Sequence, residues 1–164
     1  MSEFTFERAD YQNVRDLFDV IRESDAREVM ASAGQTPEEA ITLSLGLSTD
    51  AWVLLQDGSP ICVFGVAPVT GKPGVGSPWM LASHKFAVSK APPRQRRAVT
   101  RVILEFSKYY IGQMLEKFYL LENFVDARNA ASIRWLKWCG FKFDPAVPHG
   151  YAQLPFHPFY MERP

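Results

Sequence analysis

An Asp-Gly pair between two apolar runs constrains the fold of this chain more than any other feature. The runs Ala51–Gln56 and Pro60–Val69 are rich in β-branched and aromatic residues, and Asp57-Gly58 joins them. Asp-Gly readily adopts the positive φ angles of a two-residue hairpin turn, whose twist matches that of paired strands. The sequence therefore predicts an antiparallel hairpin in the middle of the chain, as part of a sheet.

The hairpin is followed by the pattern of a strand and a long helix. Gly71–Pro78 is rich in glycine and proline and is interpreted as a flexible connector, after which Trp79–Val88 predicts a third central strand. Pro92 and Pro93 open a helix that has apolar residues at helical spacing and runs to about Leu115. The centre of the chain thus predicts a strand meander that leads into a helix.

The N-terminal part predicts one strand and two helices. Glu3–Ala9 alternates apolar and polar residues as a half-buried strand does, and Asp10 is a suitable N-cap for the helix that follows. The charged stretch Arg22–Arg27 is interpreted as the start of a loop that ends near Gly34. Thr36-Pro37-Glu38-Glu39 combines an N-cap, a first-turn proline and a capping box, which predicts the second helix.

The C-terminal part completes an alternating pattern. Lys117–Ala127 predicts a strand, Asn129–Trp138 a short helix with Gly140 as its C-cap, and Phe156–Met161 a last strand after the extended Phe141–Phe143. The predicted order is β-α-α-β-β-β-α-β-α-β, with one further strand at the end. This order is typical of an α/β (α+β) fold with a mixed, twisted sheet and helices on its faces. At about 150 residues per domain, the chain predicts a single domain over residues 1–164.

Composition excludes several classes of protein. The 18 Lys+Arg balance 18 Asp+Glu, so the chain lacks the bulk positive potential of a nucleic-acid-binding protein. No window approaches about 18 consecutive apolar residues, so no membrane partner is predicted. The histidines show no metal-ligand spacing, and no metal is predicted. Because Cys62 and Cys139 form no disulfide pattern and the N-terminus does not resemble a signal peptide, we expect a cytoplasmic protein, or one packaged from a cytoplasm.

The segment from Val125 to Phe141 carries the most specific pattern. It places Asn129 four residues after Val125 and the small Ser132 three residues later, followed by apolar pairs and a closing Gly140-Phe141. This pattern resembles the corresponding segment of the GNAT superfamily of N-acetyltransferases, and the predicted element order is also the order of that fold. The resemblance covers nearly the whole chain and implies a GNAT-like acyl-CoA N-acyltransferase fold.

The resemblance implies a site for acetyl-CoA, or another acyl-CoA, between the fourth and fifth strands. In this family the pantetheine arm pairs with the fourth strand. The pyrophosphate lies at the N-terminus of the long helix, where free N–H groups and the helix dipole favour an anion. The implied cofactor contacts in this chain are Phe86, Ala87 and Val88 on the strand, Gln95, Arg96, Arg97, Ala98, Val99 and Thr100 at the helix start, and Asn129 and Ser132 in the motif segment.

The helix start departs from the family pattern. The usual loop has glycines that let the backbone approach phosphate, whereas this chain has Ala98 and Thr100 there. Four arginines crowd the first turns of the helix: Arg94, Arg96, Arg97 and Arg101. Positive charge at a helix N-terminus is unfavourable by about 0.3–1 kcal/mol per residue. The cluster therefore predicts either an anionic partner or a solvated face paired with local acids.

The catalytic residues stay open at this point. Acyl transfer to an amine needs a base for the ammonium group and an acid for the leaving thiolate. Many members of the family place a tyrosine as the acid seven residues after the motif asparagine, where this chain has Leu136. The candidate bases are His84, on the predicted fourth strand, and Glu122, at the mouth end of the fifth. Each has a structural role as its alternative, and attack through a chain of water molecules would need neither.

Short segments also resemble the small GNAT-like proteins of short-tailed bacteriophages. These segments are Ala40–Leu45, Leu115–Phe118, Asn123–Val125 and Ser132–Lys137. In those phages the protein is associated with virion assembly. Two functions therefore stay open: an N-acyltransferase for an unknown amine, and a non-catalytic assembly protein with phage virion proteins as partners and a degenerate cofactor site. A homo-oligomer is compatible with either.

Overall fold

A mixed sheet of eight strands forms the middle layer of the described residues. The computed structural model describes residues 2–86 and 93–164, except for the side chains at positions 93, 95, 96, 98 and 99. The strands are β1 (Phe4–Arg8), β2 (Asp50–Gln56), β3 (Ser59–Pro68), β4 (Val75–Ala82), β5 (Leu120–Asp126), β6 (Lys142–Phe143), β7 (Val147–His149) and β8 (Leu154–Glu162). The helices are α1 (Tyr11–Val14), α2 (Glu23–Ala33), α3 (Pro37–Leu47), α4 (Pro93–Lys117) and α5 (Ala130–Cys139), with 3₁₀ turns at Arg15–Leu17 and His84–Phe86.

Neighbouring strands pair in the order β1-β2-β3-β4-β5-β8-β6, and β7 also pairs with β8. In this sheet every pair is antiparallel except β4 with β5, which is parallel. The parallel pair is joined through α4, as a crossover connection requires. The predicted fold class, a mixed sheet with helices on its faces, is confirmed.

Two apolar layers hold the helices on the sheet. On one face, α4 and α5 pack on the strands through a core that includes Trp52, Val66, Met114, Phe118, Leu121, Leu136 and Phe159. On the other face, the core under α1 and α3 includes Val14, Leu17, Ile41, Val53, Val63 and Leu81. Burying a side chain of this size contributes about 1.5–3 kcal/mol. Because both faces are covered, the central strands are apolar on both sides, which explains the continuous apolar runs of the sequence.

The strongest local signals of the sequence are confirmed. Asp57 and Gly58 form the hairpin turn with φ angles of 49° and 83°, and they join β2 to β3. Thr36 caps α3: its Oγ1 accepts the Glu39 N–H at 3.2 Å, and the Glu39 carboxylate accepts the Thr36 N–H. Gly140 ends α5 with a φ of 100°, a left-handed conformation that glycine adopts without strain.

The charged stretch after Arg22 is helical, which corrects the prediction of a loop. Helix α2 begins at Glu23, and Gly34 ends it in a left-handed conformation with a φ of 66°. The charges of Asp25 and Glu28 are characteristic of a solvated segment, but both side chains bind the backbone of the sheet. The helix is therefore specified by contacts with residues far away in the sequence.

The third central strand also lies elsewhere than predicted. β4 covers Val75–Ala82 rather than Trp79–Val88. Gly76 and Pro78 belong to the strand and not to a flexible connector, and a Cβ at Gly76 would come within 2.8 Å of neighbouring side chains. After the strand the chain turns at once into the 3₁₀ turn His84–Phe86. Gly76 allows neighbouring side chains to pack closely against the strand, and Pro78 interrupts the hydrogen-bond ladder of the sheet.

Candidate functional site

Strands β4 and β5 separate after a short parallel contact. Val75 pairs with Leu120 and Gly76 with Leu121, and the described parts of the strands pair no further. Pro78 is the next β4 residue whose backbone is directed at β5, since backbone groups alternate between the two neighbours of a strand. Proline has no N–H, so the ladder loses its donor at this position.

The Asn123 side chain bridges the two strands where the ladder ends. Its Nδ2 donates to the Pro78 carbonyl at 2.7 Å, and its Oδ1 accepts the N–H of Phe124 at 2.8 Å. One side-chain amide thus satisfies a backbone group on each strand at the point where the strands part. Beyond this point β4 and β5 diverge, and we call the opening between them the gap.

Two carboxylates of α2 bind the far ends of the separated strands. Asp25 Oδ2 accepts the Ala82 N–H at 2.9 Å, and Glu28 Oε1 accepts the Asp126 N–H at 2.7 Å. Residues three apart lie on the same face of a helix, so one turn of α2 reaches both strands. The Arg22 N–H donates to the Ala82 carbonyl at 2.9 Å. Helix α2 therefore holds the strand ends apart while it satisfies their backbone groups.

The motif residues Asn129 and Ser132 belong to the same network. Asn129 caps α5, with its Oδ1 accepting the Ser132 N–H at 3.3 Å, and its Nδ2 donates to Asp25 Oδ1 at 3.2 Å. Arg22 donates from Nε to Asp25 at 2.7 Å and from Nη2 to Ser132 Oγ at 3.0 Å. Asn129, Ser132 and Asp25 are buried. The structure thus gives the motif a role in fastening α5 to α2, and its contact with a cofactor stays a prediction.

Between these fixed points, the Met80 backbone faces the gap. Pro78 and Ala82 both direct backbone groups toward β5, and the alternation along the strand directs the Met80 N–H and C=O to the same side. At this level β5 has moved away and forms no pair with β4. No residue that the structure describes pairs with the Met80 backbone on this side, so Met80 forms a strand edge inside the sheet, with which another extended chain can pair.

A cavity of about 260 Å³ lies at the gap and is lined from both faces of the sheet. On the face of α4 and α5, its wall includes Met80, Ile103, Ser107, Tyr110, Ser132 and Trp135. On the face of α2 and α3, its wall includes Glu28, Ser32, Ser44, Trp79, Phe124 and His149. Among the lining residues that the structure describes, Glu28 is the only carboxylate. The cavity thus reaches both faces of the sheet, and Glu28 lines it on the face of α2 and α3.

The environment of Glu28 prepares it for proton transfer near neutral pH. Burial raises the pKa of Glu28 to about 7, the negative charges of Asp25 and Asp126 add to the rise, and hydrogen bonds from the Asp126 N–H and Asn129 oppose it. Burial also acts to raise the pKa of Asp126, but hydrogen bonds from Arg128 hold that pKa below its usual value. Adjacent carboxyls with pKa values pushed apart are typical of sites where one of them moves a proton.

The two bases predicted from the sequence lie outside the cavity. His84 is exposed on the 3₁₀ turn and not on the strand, and its Nδ1 lies 3.0 Å from the Val20 carbonyl oxygen. Glu122 lies directly after the last β4–β5 pair, at the closed end of the gap rather than its mouth, and its Oε1 accepts from Lys72 Nζ at 2.8 Å. Neither residue lines the cavity, whereas Glu28 does.

The structure describes the positions of some of the predicted cofactor contacts. Phe86 lines the cavity, but it lies in the 3₁₀ turn and not on the fourth strand, because β4 has already ended at Ala82. Ala87 and Val88 lie outside the described residues, as do the side chains of Gln95, Arg96, Ala98 and Val99. At the start of α4, Arg97 is exposed and Thr100 half-buried.

Sequence reasoning missed Glu28, Asn123 and Pro78. The available signals were a carboxylate pair at helical spacing, Asp25 and Glu28, and a proline inside an apolar run. The first signal needed α2 to be recognised as a helix. The second needed the proline to be placed inside a strand and not before it.

Neither a membrane-spanning helix nor a metal site is found in the part of the chain that the structure describes. No helix in residues 2–86 and 93–164 combines the length and hydrophobicity needed to cross a membrane. Within the same residues, no group of three or more His, Cys, Asp or Glu side chains could hold a metal ion.

Several of the solved structures that this chain resembles are acetyltransferases. The chain superposes on aminoglycoside acetyltransferase AAC(6')-Ib in complex with coenzyme A, with a TM-score of 0.67 and 13% identity, over 98% of this chain and 95% of that one. It superposes on an acetyltransferase of the GNAT family from Streptococcus pneumoniae with a TM-score of 0.63 and 10% identity, over 99% and 100% of the two chains. This chain has the GNAT fold.

A ribosomal-protein-alanine N-acetyltransferase from Brucella melitensis is similar to the same extent. Its TM-score is 0.66 at 14% identity, over 97% of this chain and 99% of that one. No family model matches the chain, and no curated protein matches its sequence. The likeness to these proteins lies in the three-dimensional arrangement of the chain.

The raised pKa of Glu28 predicts a pH-dependent stability difference between the wild type and Glu28→Gln. A carboxyl whose pKa is higher in the folded state stabilises the fold below its ordinary pKa of 4.5 and loses that contribution as the pH rises through about 7. Glutamine keeps an acceptor for the Asp126 N–H but does not titrate. From pH 5 to pH 8, the wild type should lose on the order of 2 kcal/mol relative to Glu28→Gln, measured by urea unfolding.

Glu116→Gln is the matched control, because it removes an exposed carboxylate outside the network. A difference between wild type and Glu28→Gln that is independent of pH would contradict the assigned environment of Glu28.

Proposed function

We propose that this protein is an acyl-CoA-dependent N-acyltransferase that transfers the acetyl group of acetyl-CoA to a primary amine. The observation that carries the proposal is the free backbone of Met80 at a gap that opens into a cavity on both faces of the sheet. The likeness to a coenzyme A complex with the same fold supports this reading of the gap.

The residues around the gap fit the cofactor. The pantetheine arm of coenzyme A contains amide groups, which an extended strand binds as it would bind another strand, through one N–H and one C=O. Met80 offers both groups, and in this proposal the pairing lies earlier in the chain than Phe86–Val88. Arg94 and Arg97 are exposed in the first turns of α4, whose N-terminus favours phosphate groups.

Glu28 is the base in this proposal. Hydrogen bonds to the Asp126 N–H and Asn129 engage its Oε1, which leaves Oε2 to accept the proton of a bound ammonium group. Acetyl-CoA, when bound, supplies a thioester whose acyl carbon the neutral amine attacks. The C–N bond forms and the C–S bond breaks with its electron pair staying on sulfur. Of the two protons that nitrogen loses, Glu28 takes the first from the ammonium group, and the thiolate takes the second as the amide forms.

The leucine in place of the expected tyrosine is compatible with this chemistry. Leu136 is buried in the core against α4 and cannot protonate a leaving group. A thiol has a pKa of about 8.5, so a thiolate leaves without strong acid assistance near neutral pH. The reaction therefore needs a base for the ammonium group more than an acid for the thiolate, and in this proposal Glu28 is that base.

The virion-assembly role stays a prediction of the sequence. A degenerate site would be expected to have a closed gap, or a cavity without an ionisable group. In this chain Glu28 lines an open cavity beside a free strand edge. We therefore favour the N-acyltransferase over the virion-assembly protein.

Met80→Pro and Met80→Leu form a matched pair that tests the cofactor site. Proline removes the N–H that faces the gap and leaves the ladder with β3 intact, as Pro78 already does, whereas leucine keeps the backbone donor. We expect acetyl-CoA to bind Met80→Leu as it binds the wild type, and Met80→Pro about tenfold more weakly or worse. Isothermal titration measures both affinities, and the unfolding temperature without ligand shows that each variant folds.

Equal affinities of the two variants for acetyl-CoA would contradict the pairing, and no binding by the wild type at millimolar acetyl-CoA would refute the proposed function.

Glu28→Gln and Glu122→Gln separate the two carboxylates that could act as base. In the wild type, kcat for the fastest acceptor in a panel of primary amines should rise with pH through about 7, as Glu28 ionises. Glu28→Gln should lose about 10²–10⁴-fold in kcat and the inflection with it. Glu122→Gln should keep the inflection, because its carboxylate binds Lys72 outside the cavity. Loss of the inflection in Glu122→Gln alone would assign the base to Glu122.

A further inference from the structure

The wall of the cavity on the face of α2 and α3 is aromatic. The Phe124 and His149 rings stack with their centroids 3.7 Å apart and 9° between their planes. Phe156 stands at 65° to the His149 ring, with 5.3 Å between the centroids. Trp79 from β4 lines the same face. An acceptor that enters from this side therefore meets several rings before it reaches the gap.

The same wall carries little charge. Glu28 is the only carboxylate among the described lining residues, and no lysine or arginine is found among them. Burial lowers the pKa of His149 below its ordinary value of 6.5, so the imidazole stays neutral at neutral pH. An acceptor with several ammonium groups would leave all but one without a counter-charge here, and an acceptor with a carboxylate would find no cation.

The loop after β7 limits the size of the acceptor. The N–H groups of Tyr151 and Ala152 donate to the carbonyls of Ser32 and Ala31, both at 2.9 Å. Gly150 approaches α2 so closely that a Cβ would lie 2.6 Å from the Ser32 carbonyl oxygen. Backbone next to His149 is thus fastened to the end of α2. A folded protein would have to displace this backbone, whereas a small molecule would not.

We infer that the acceptor is a small primary amine that carries an aromatic ring. Its ammonium group faces Glu28, and its ring lies against Phe124 and His149. The inference rests on the proposed N-acyltransferase function and names the substrate class of that site. The products are the N-acetylated amine and free coenzyme A; of the two protons that the ammonium group loses, one passes to Glu28 and the other to the sulfur of coenzyme A.

A panel of acceptors tests this class directly. We would measure thiol release from acetyl-CoA with 2-phenylethylamine, kanamycin, glutamate and an unstructured peptide with a free N-terminus. The aromatic amine should have the highest kcat/KM, by about tenfold or more, because it alone matches one carboxylate with an aromatic wall. A higher kcat/KM for kanamycin, glutamate or the peptide would overturn the inference.

Variants of Phe124 identify the wall that recognises the ring. Phe124→Ala should lower kcat/KM for 2-phenylethylamine about tenfold or more, and Phe124→Tyr, which keeps the ring, should restore it. Tyr11→Ala is the control, since it removes an exposed aromatic side chain outside the cavity and should change nothing. The affinity for acetyl-CoA should be the same in all four proteins.

The outcomes separate this inference from the function on which it rests. Unchanged kcat/KM in Phe124→Ala, with acetyl-CoA bound normally, would overturn the aromatic acceptor and leave the N-acyltransferase in place. Failure of the wild type to bind acetyl-CoA would overturn both.

Discussion

The site depends on two backbone N–H groups that the sheet itself leaves without partners. Where β4 and β5 diverge, the Ala82 and Asp126 N–H groups lose the partners that a continuous ladder would supply, and a buried N–H without a partner is costly. Asp25 and Glu28, one turn apart on α2, accept these two bonds. The separation of the strands is therefore stable only while α2 is docked, and the gap, the free Met80 backbone and the cavity all follow from that docking.

The same interaction sets the chemistry of the site. Bringing the carboxylates of α2 to the strand ends places Glu28 near Asp25 and Asp126 in a buried environment, and burial with like charge raises its pKa to about 7. The rise costs stability at neutral pH, and it gives the carboxyl the ability to take a proton there. Arg22 pairs with Asp25 and Arg128 pairs with Asp126, whereas no ion pair among the described residues includes Glu28. One network thus supports the fold and holds the carboxyl that we propose as the base.

The sequence predicted the elements whose signals are local and missed those specified by distant contacts. The Asp57-Gly58 turn, the Thr36 capping box and the Gly140 C-cap depend on neighbouring residues, and all three are confirmed. Helix α2 appeared to be a charged loop because the partners of its carboxylates lie in β4 and β5. For the same reason Glu28 could not be selected as a base from the sequence. The start of β4 was missed because Pro78 was assigned to a flexible connector. It lies inside the strand and interrupts only the pairing of β4 with β5.

Hydrogen exchange of individual amides, followed by NMR with and without acetyl-CoA, tests the central claim most directly. The claim is that α2 occupies the strand ends and leaves Met80 free for a cofactor. The Ala82 and Asp126 amides should be protected in both states. The Met80 amide should exchange quickly in the free protein and at least about tenfold more slowly with acetyl-CoA bound. A Met80 amide as protected as Ala82 in the free protein, or one that acetyl-CoA does not slow, would contradict this account of the site.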